Sequence, residues 1–436
     1  MHSYSRFVKN KLKSIIKEMA QSPECFVKNP DKDFTRNRKL AFEDIINLLL
    51  SMAGNSIYKE LLDYFKYKED TVKASAFVQQ RSKVLPSALE CLFKTFTNSF
   101  HNYKTFKGYR LLAADGSKVN IAHNPKDIDT YVRCKKTDKG FNVLNLNALF
   151  DLCNKVYTDA IIQPIKESNE HIALTDMVDR SDVDGKVILI ADRGYESYNV
   201  FAHIQEKGWK YVIRIKNGNG GIAKGLNLPF CEEFDKKISL KLTKRKSKEI
   251  KSHPEIYKIL SSGCNFDYLQ ANTSDFYKIS FRIVRFKISN SSYETIITNL
   301  NENEFSVNDI KELYNMRWGI ETSFRELKYA IGLINFHSKK VEFIKQEVFA
   351  KLTMYNFCEI ITLNVVITKK QRKHEYQVNF TVAINICMYF FKHSEDENPP
   401  DVEALIRRNL LPIRKGRTDM RKIRSKSSVS FIYRVA

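Results

Sequence analysis

The sequence predicts an α/β fold: a core of mixed strands and helices, interrupted by a β-rich insertion, between an all-helical N-terminal region and a helical C-terminal region. Three observations predict it. Residues 1 to about 100, and again from about Ser306 to Phe391, carry apolar residues at helical spacing. From Tyr109 the period shortens to apolar runs of strand length, which alternate with helical stretches. Between Lys216 and Ser306 the runs turn polar but stay strand-like. The chain has 436 residues, room for two or three domains. With 43% apolar and 28% charged residues, its bulk is not disordered, collagenous or coiled coil.

The elements follow in order. LAFEDIINLLLSMA and IYKELLDYF have helical periodicity, and Ser75–Lys83 and Ser87–Phe100 continue the helical head. YRLLAAD reads as a buried strand with KVNIA as its neighbour, and VLNLNALFDL with KVYTDAIIQPI as a longer pair. A helix is expected over roughly Glu170–Arg180, then VILIAD, the kind of apolar run that fills a central strand. ESYNVFAHIQEKG forms a helix ending at Gly208, and KYVIRIK a further strand. Three strands, helix, strand, helix, strand is the element order of a ribonuclease-H-like core. NGNGG is a loop by composition, and lacks the lysine and helix context of a phosphate-binding loop. KISLKLTKRK, YKISFRIVRFKI and YETIITNL form the β-rich insertion. KLTKRKSKEIKS suits DNA contact and a solvated strand equally, and EDENPPD marks a break before the end.

Charge points to the partner. Lys and Arg number 72 against 50 Asp and Glu, a net +22, and the pI is near 9.4. Such an excess suits a polyanion, most commonly DNA or RNA. Arg407–Ala436 alone carries ten Lys/Arg against Asp419, a tail either solvated or in contact with phosphate. No run approaches the roughly 20 apolar residues of a membrane span, and the basic start has no continuous apolar core. The eight cysteines form no Cys-x-x-Cys and no zinc spacing with histidine, which leaves reduced, structural thiols in a cytosol as the default. The nine histidines likewise show no metal spacing.

Two carboxylates stand out. Asp115 ends YRLLAAD and precedes Gly116-Ser117; Asp192 ends VILIAD and precedes Arg193-Gly194-Tyr195. Both are expected at the carboxyl ends of apolar strands, where open α/β sheets place their ligands. Singly, each could be a helix cap or a turn residue. A third group lies in YNMRWGIETSFRELK, expected as one helix. Tyr314, Arg317, Glu321 and Lys328 are spaced by 3, 4 and 7 residues, which at about 100° per residue falls within an arc of roughly 60°. An Arg317–Glu321 surface pair would account for the charges, but not for Tyr314 and Lys328 on the same face. Three carboxylates from two strand ends and a helix can hold two divalent cations. Magnesium takes oxygen ligands and keeps several waters. Two metals roughly 3.5–4 Å apart serve phosphodiester displacement, with nearby cations holding phosphates. Glu170-His171 could add a carboxylate, but is read as a solvated helix start.

These motifs resemble the bacterial insertion-sequence transposases of the DDE class, in the IS-four-like group. Tyr314, Arg317, Glu321 and Lys328 match its Tyr-x2-Arg-x3-Glu-x6-Lys signature at every spacing. Asp115-Gly116-Ser117 and Asp192-Arg193-Gly194-Tyr195 match its two aspartate motifs, and 129 residues separate Asp192 from Glu321, as an inserted β-rich segment requires. The resemblance covers roughly residues 105 to 360. It implies a ribonuclease-H-like core, with Asp115, Asp192 and Glu321 as catalytic metal ligands for two Mg²⁺ ions, replaceable by Mn²⁺. It also implies Tyr314, Arg317, Lys328 and Arg193 as contacts to DNA, cut-and-paste movement of an insertion sequence, a homodimer on double-stranded transposon ends and target, and a bacterial, cytoplasmic, nucleoid-associated protein.

Expected boundaries are 1–104 for a helical region offered to end binding, 105–216 for the first part of the core, 217–305 for the insertion, 306–345 for the helix with the third carboxylate, and 346–436 for a helical region and basic tail offered to dimerisation or DNA. The best-understood relatives form a hairpin and hold a flipped base with a tryptophan of the insertion. Here the tryptophans are Trp209 and Trp318, and none lies between Lys216 and Ser306. Phe266, Tyr268, Phe276 and Tyr277 could stack a base, although such aromatics commonly form core. The rival readings are a ribonuclease-H-like nuclease without strand transfer and a domesticated DNA-binding protein, the latter opposed by the intact carboxylates.

Overall fold

The computed structural model describes residues 4–133, 139–216, 221–261, 263–270, 275–289, 292–365, 376–392 and 400–413. Most of the NGNGG loop, of EDENPPD and of the basic tail therefore lies outside the described residues.

Five helices open the chain: α1 (Tyr4–Gln21), α2 (Phe42–Ser51), α3 (Ile57–Tyr64), α4 (Ala74–Arg81) and α5 (Pro86–Asn98). α3 starts where the Ser56 hydroxyl accepts the Lys59 N–H, and α5 starts with proline in its first turn. Then come β1 (Tyr109–Ile121), β2 (Tyr131–Val132), β3 (Phe141–Asp151), β4 (Val156–Pro164), α6 (Glu170–Asp179), β5 (Lys186–Ala191), α7 (Tyr198–Glu206) and β6 (Lys210–Arg214). Gly208 ends the α7 turn with a φ of 76°, which favours glycine. β7 (Phe234–Thr243), α8 (Lys248–Ser252), β8 (Tyr257–Ile259), β9 (Tyr277–Ser289) and β10 (Ser292–Thr298) follow. The remaining elements are α9 (Val307–Met316), α10 (Trp318–Tyr329), α11 (Val341–Leu363), β11 (Tyr376–Val378), α12 (Phe380–Lys392), α13 (Val402–Arg408) and β12 (Leu410–Pro412).

One ten-stranded mixed sheet organises these elements. β4, β3 and β1 pair antiparallel, and β1, β5 and β6 pair parallel. β10 joins β6 antiparallel, and β9 and β7 continue outward, so the polar strands after Lys216 extend the same sheet. Alternation along the central strands feeds two cores. Leu111, Ala113, Ile188 and Ile190 face a cluster shared with α9, α10, α11 and the N-terminal helices. Leu112, Ala114, Leu189 and Ala191 face the other cluster, under α6 and α7. Trp209 is buried in that second cluster, a structural residue.

Two expectations are corrected. YRLLAAD and KVNIA are one strand, β1, because the polar stretch between them keeps pairing with β3 from Asp115↔Ala148 to Lys118↔Asn145. The motif helix is interrupted at Arg317, where the Arg317 N–H bonds the Tyr314 carbonyl at 3.1 Å and the Ile320 N–H bonds the Arg317 carbonyl at 3.1 Å, three-residue spacings that tighten the turn. α10 nevertheless lies close on the core. A Cβ at Gly319 would come within 2.8 Å of Leu152 Cδ2, so a larger residue there would have to displace the Leu152 side chain.

α11 is the pillar of the helical side, buried along almost all its length. Asn356 accepts from the Tyr157 N–H at 2.9 Å and donates to its carbonyl at 2.8 Å, pinning α11 to β4. Glu347 receives Arg81 at 2.9 Å and the His337 ring at 3.1 Å, with all three side chains buried. Burial alone would raise the Glu347 carboxyl, but Arg81 and His337 hold it well below the usual range. Arg81 also donates to Gln346 at 2.8 Å and to the Phe343 carbonyl at 2.6 Å, so this network ties α4 to α11 and to the segment that follows α10. Removing one member of a buried pair strands the other charge. Arg81→Ala should therefore cost about 3–5 kcal/mol in a urea titration, and Arg81→Met combined with Glu347→Gln should cost less than Arg81→Ala alone. Equal losses would show that the charge itself contributes nothing.

Candidate active site

The site begins with strand register. Ala114 of β1 pairs with Ala191 of β5, the last pair of their parallel ladder. Asp115 and Asp192 are the next residue on each strand, so they stand side by side. Asp192 remains extended, with φ −81° and ψ 178°. Alternation from Ala113 and Ile190 therefore turns both carboxylates to the face covered by α9 and α10. Asp192 fits the expected strand end. Asp115 does not: β1 runs on to Ile121, and only its pairing with β5 stops at Ala114. One oxygen of each carboxylate is held locally, Asp115 Oδ1 by the Gly116 N–H at 2.8 Å and Asp192 Oδ1 by the Gly194 N–H at 2.7 Å.

The turn at Arg317 supplies the opposing wall. The Arg317 guanidinium donates to Glu321 Oε1 at 2.7 Å and lies 3.9 Å from Asp115 Oδ2. It is flanked by the rings of Tyr314 and Trp318, with centroids 5.7 and 5.3 Å away. Glu321 therefore joins Asp115 through an arginine that is itself only 7% exposed. Lys328 donates to the Lys118 carbonyl of β1 at 2.8 Å, which ties α10 to the strand carrying Asp115; burial lowers its pKa. Tyr314, expected at the DNA, is 4% exposed, because α9 packs its ring into the core, where it supports Arg317. Trp318 and Arg193 are exposed beside the carboxylates.

Glu170 is the exposed first residue of α6, the solvated helix start that the sequence predicts. Its oxygen Oε1 lies 2.9 Å from where a Cβ would stand at Gly116, and Oε2 lies 4.0 Å from the same position at Gly194. His171 Nε2 donates to the Gly194 carbonyl at 2.6 Å, locking α6 onto the turn after Asp192. Of the aromatics considered for base stacking, Phe266 is buried, whereas Tyr268 and Phe276 are 37% and 40% exposed.

Charge explains what the site demands. Burial pushes the Asp115 carboxyl up to about 6; the Gly116 N–H and Arg317 oppose this, and the negative charges of Asp192 and Glu321 add to it. The buried Tyr195 hydroxyl is raised further by burial and then by Asp115, Glu170 and Asp192. Among the described residues no three ligating groups converge closely enough to enclose an ion. The donor chemistry, hard carboxylate oxygens with incomplete counter-charge, nonetheless fits a divalent cation such as magnesium.

This carboxylate also sets a pH dependence. A raised folded-state pKa means that the bound proton stabilises the fold fully below the ordinary carboxylate pKa, and that this is lost as pH rises through about 6. Asp115→Asn keeps the neutral form at every pH. In metal-free buffer it should raise stability to urea by about 2 kcal/mol near pH 8, and the gain should fade towards about pH 4. A gain independent of pH would contradict the electrostatic account.

A family model described as the transposase DDE domain matches residues 106–357. No curated protein matches the chain. Among solved structures, the chain is similar to the piggyBac transposase in a cryo-EM structure of its synaptic complex with hairpin DNA, at 10% identity and a TM-score of 0.46, covering 96% of this chain and 88% of that one.

Proposed function

The chain belongs to the DDE transposase family and is a DNA transposase; from its site we propose that it carries out metal-dependent cut-and-paste transposition in the manner of the IS-four-like group. The observation that carries this reading is the lateral pair Asp115 and Asp192, one residue past the last parallel β1–β5 pair, faced by Glu321 through Arg317. The strand order β4-β3-β1-β5-β6, antiparallel then parallel, supports a ribonuclease-H-like core. The spacing of Tyr314, Arg317, Glu321 and Lys328 supports the group.

In this reading Asp115, Asp192 and Glu321 hold two Mg²⁺ ions. Such ions activate an attacking oxygen and stabilise a leaving oxygen in phosphodiester displacement. The chain's own groups do the positioning. Arg317 neutralises Asp115 and Glu321, and with metal bound at those carboxylates its guanidinium would clamp a phosphate beside the scissile bond. Exposed Arg193 contacts the backbone next to Asp192. Lys328 keeps α10 at its distance from β1. The net +22 supplies affinity for double-stranded transposon ends and target. Action as a homodimer on two ends, in a bacterial cytoplasm, follows from the group resemblance.

The test uses duplex DNA carrying the inverted repeat that flanks the gene. Asp192→Ala should abolish strand cleavage in Mg²⁺ while leaving gel-shift affinity within a few fold, because phosphate contacts supply most of the binding. Arg317→Ala should impair assembly of the paired-end complex while metal binding is retained. Near-wild-type cleavage by Asp192→Ala would overturn the assignment. Cleavage without any joined product would place the enzyme among nucleases that lack strand transfer.

A further inference from the structure

We infer that the cavity between α10, the C-terminal half of α11 and the β11–β12 ribbon is a binding site for a small organic cation, an ammonium group carried on an apolar body. The cavity has a volume of about 670 Å³, within the range of small-ligand sites. α10 presents Glu321 to Arg317 on one face and lines this cavity with Thr322 and Glu326 on another. Aromatic rings form one wall. Phe150, Tyr355 and Phe380 line the cavity, with the Tyr355 centroid 6.3 Å from that of Phe150 and 5.4 Å from that of Phe380. Ring faces beside carboxyl groups suit an ammonium ion, whose charge the rings attract and whose carbon body they remove from water.

The acidic groups are built in and lack their counter-charge. Glu359 lines the cavity although it is only 4% exposed. The Tyr355 hydroxyl donates to Glu326 Oε2 at 3.0 Å. Glu359 must share that hydroxyl, whose one proton is already given to Glu326. Among the described residues neither glutamate forms an ion pair. Lys155 and Arg325 line the cavity from exposed positions, where water screens them. Burial pushes the Glu359 carboxyl up to about 8; Lys155 opposes this and Glu326 adds to it. A second buried group is unsatisfied as well. Thr362 is 8% exposed and lines the cavity, and its hydroxyl has no hydrogen-bond partner. Elsewhere on α11 the buried polar side chains are bonded: Gln346 and Glu347 to Arg81, Lys351 to the Met52 carbonyl, Thr353 to the Phe349 carbonyl and Asn356 to Tyr157. Glu359 and Thr362, the two that meet the cavity, depart from this pattern. A buried carboxyl so placed is costly to ionise unless a cation meets it.

The experiment titrates the full chain with benzyltrimethylammonium, a permanent cation on an apolar ring, by isothermal titration calorimetry at about pH 9, where Glu359 is ionised. The wild type should bind it, and should bind benzyl alcohol, the uncharged probe, roughly tenfold more weakly. Glu359→Gln keeps the shape of the neutral carboxyl, and with it the fold, and should weaken binding of the cation roughly tenfold. Thr381→Trp, at an exposed position of the lining, should fill the cavity and block binding while Glu359 remains. The cation favours the charged carboxylate, so wild-type affinity should fall as pH drops through about 8, and that of Glu359→Gln should not. The inference would be overturned by no binding to the wild type, by equal binding of benzyl alcohol, or by either variant binding the cation within about twofold of wild type.

Discussion

The site depends on the register of two parallel strands. Because Ala114 lies opposite Ala191, the residues that follow leave the ladder together, and alternation sends both carboxylates to the α10 face. A slip of one residue would turn one aspartate into the core beneath α6. Register is secured by burial on both sides: Leu111, Ala113, Ile188 and Ile190 fill one core, and Leu112, Ala114, Leu189 and Ala191 fill the other. The large apolar surface of the molecule thus fixes the relative position of two small polar groups.

Once the aspartates are adjacent, their charge shapes the surroundings. Arg317 is buried between Asp115 and Glu321, and the turn that interrupts α9 and α10 places it there. Lys328 fastens the far end of α10 to β1, and Gly319 lets the helix sit against Leu152. The third carboxylate is therefore held by a helix bonded to the strand that bears the first. Behind it, the Arg81–Glu347–His337 network joins α11 to the N-terminal helices and to the segment after α10, so the helical head and the wall facing the aspartates are tied to one helix.

Much of this was legible in the sequence where periodicity speaks. VILIAD and YRLLAAD announced central strands because strands buried on both faces are apolar throughout. The wheel from Tyr314 to Lys328 brought Arg317 and Glu321 together, as the structure does. What was not legible depended on long-range pairing or on space. Nothing local to YETIITNL says that it pairs with β6, and nothing in Gly116-Ser117-Lys118 says that β3 carries β1 through it. Tyr314 shares its face with charged residues, and only the packing of α9 shows that it is buried.

The central claim is that one cation site draws on segments far apart in the chain. Iron-mediated hydroxyl-radical cleavage of the backbone tests it directly. Fe²⁺ bound in place of Mg²⁺ cuts the chain next to its ligands. Cuts near Asp115, Asp192 and Glu321, all suppressed together by excess Mg²⁺, are the predicted result. Cuts elsewhere, or cuts near only one of these residues, would contradict it.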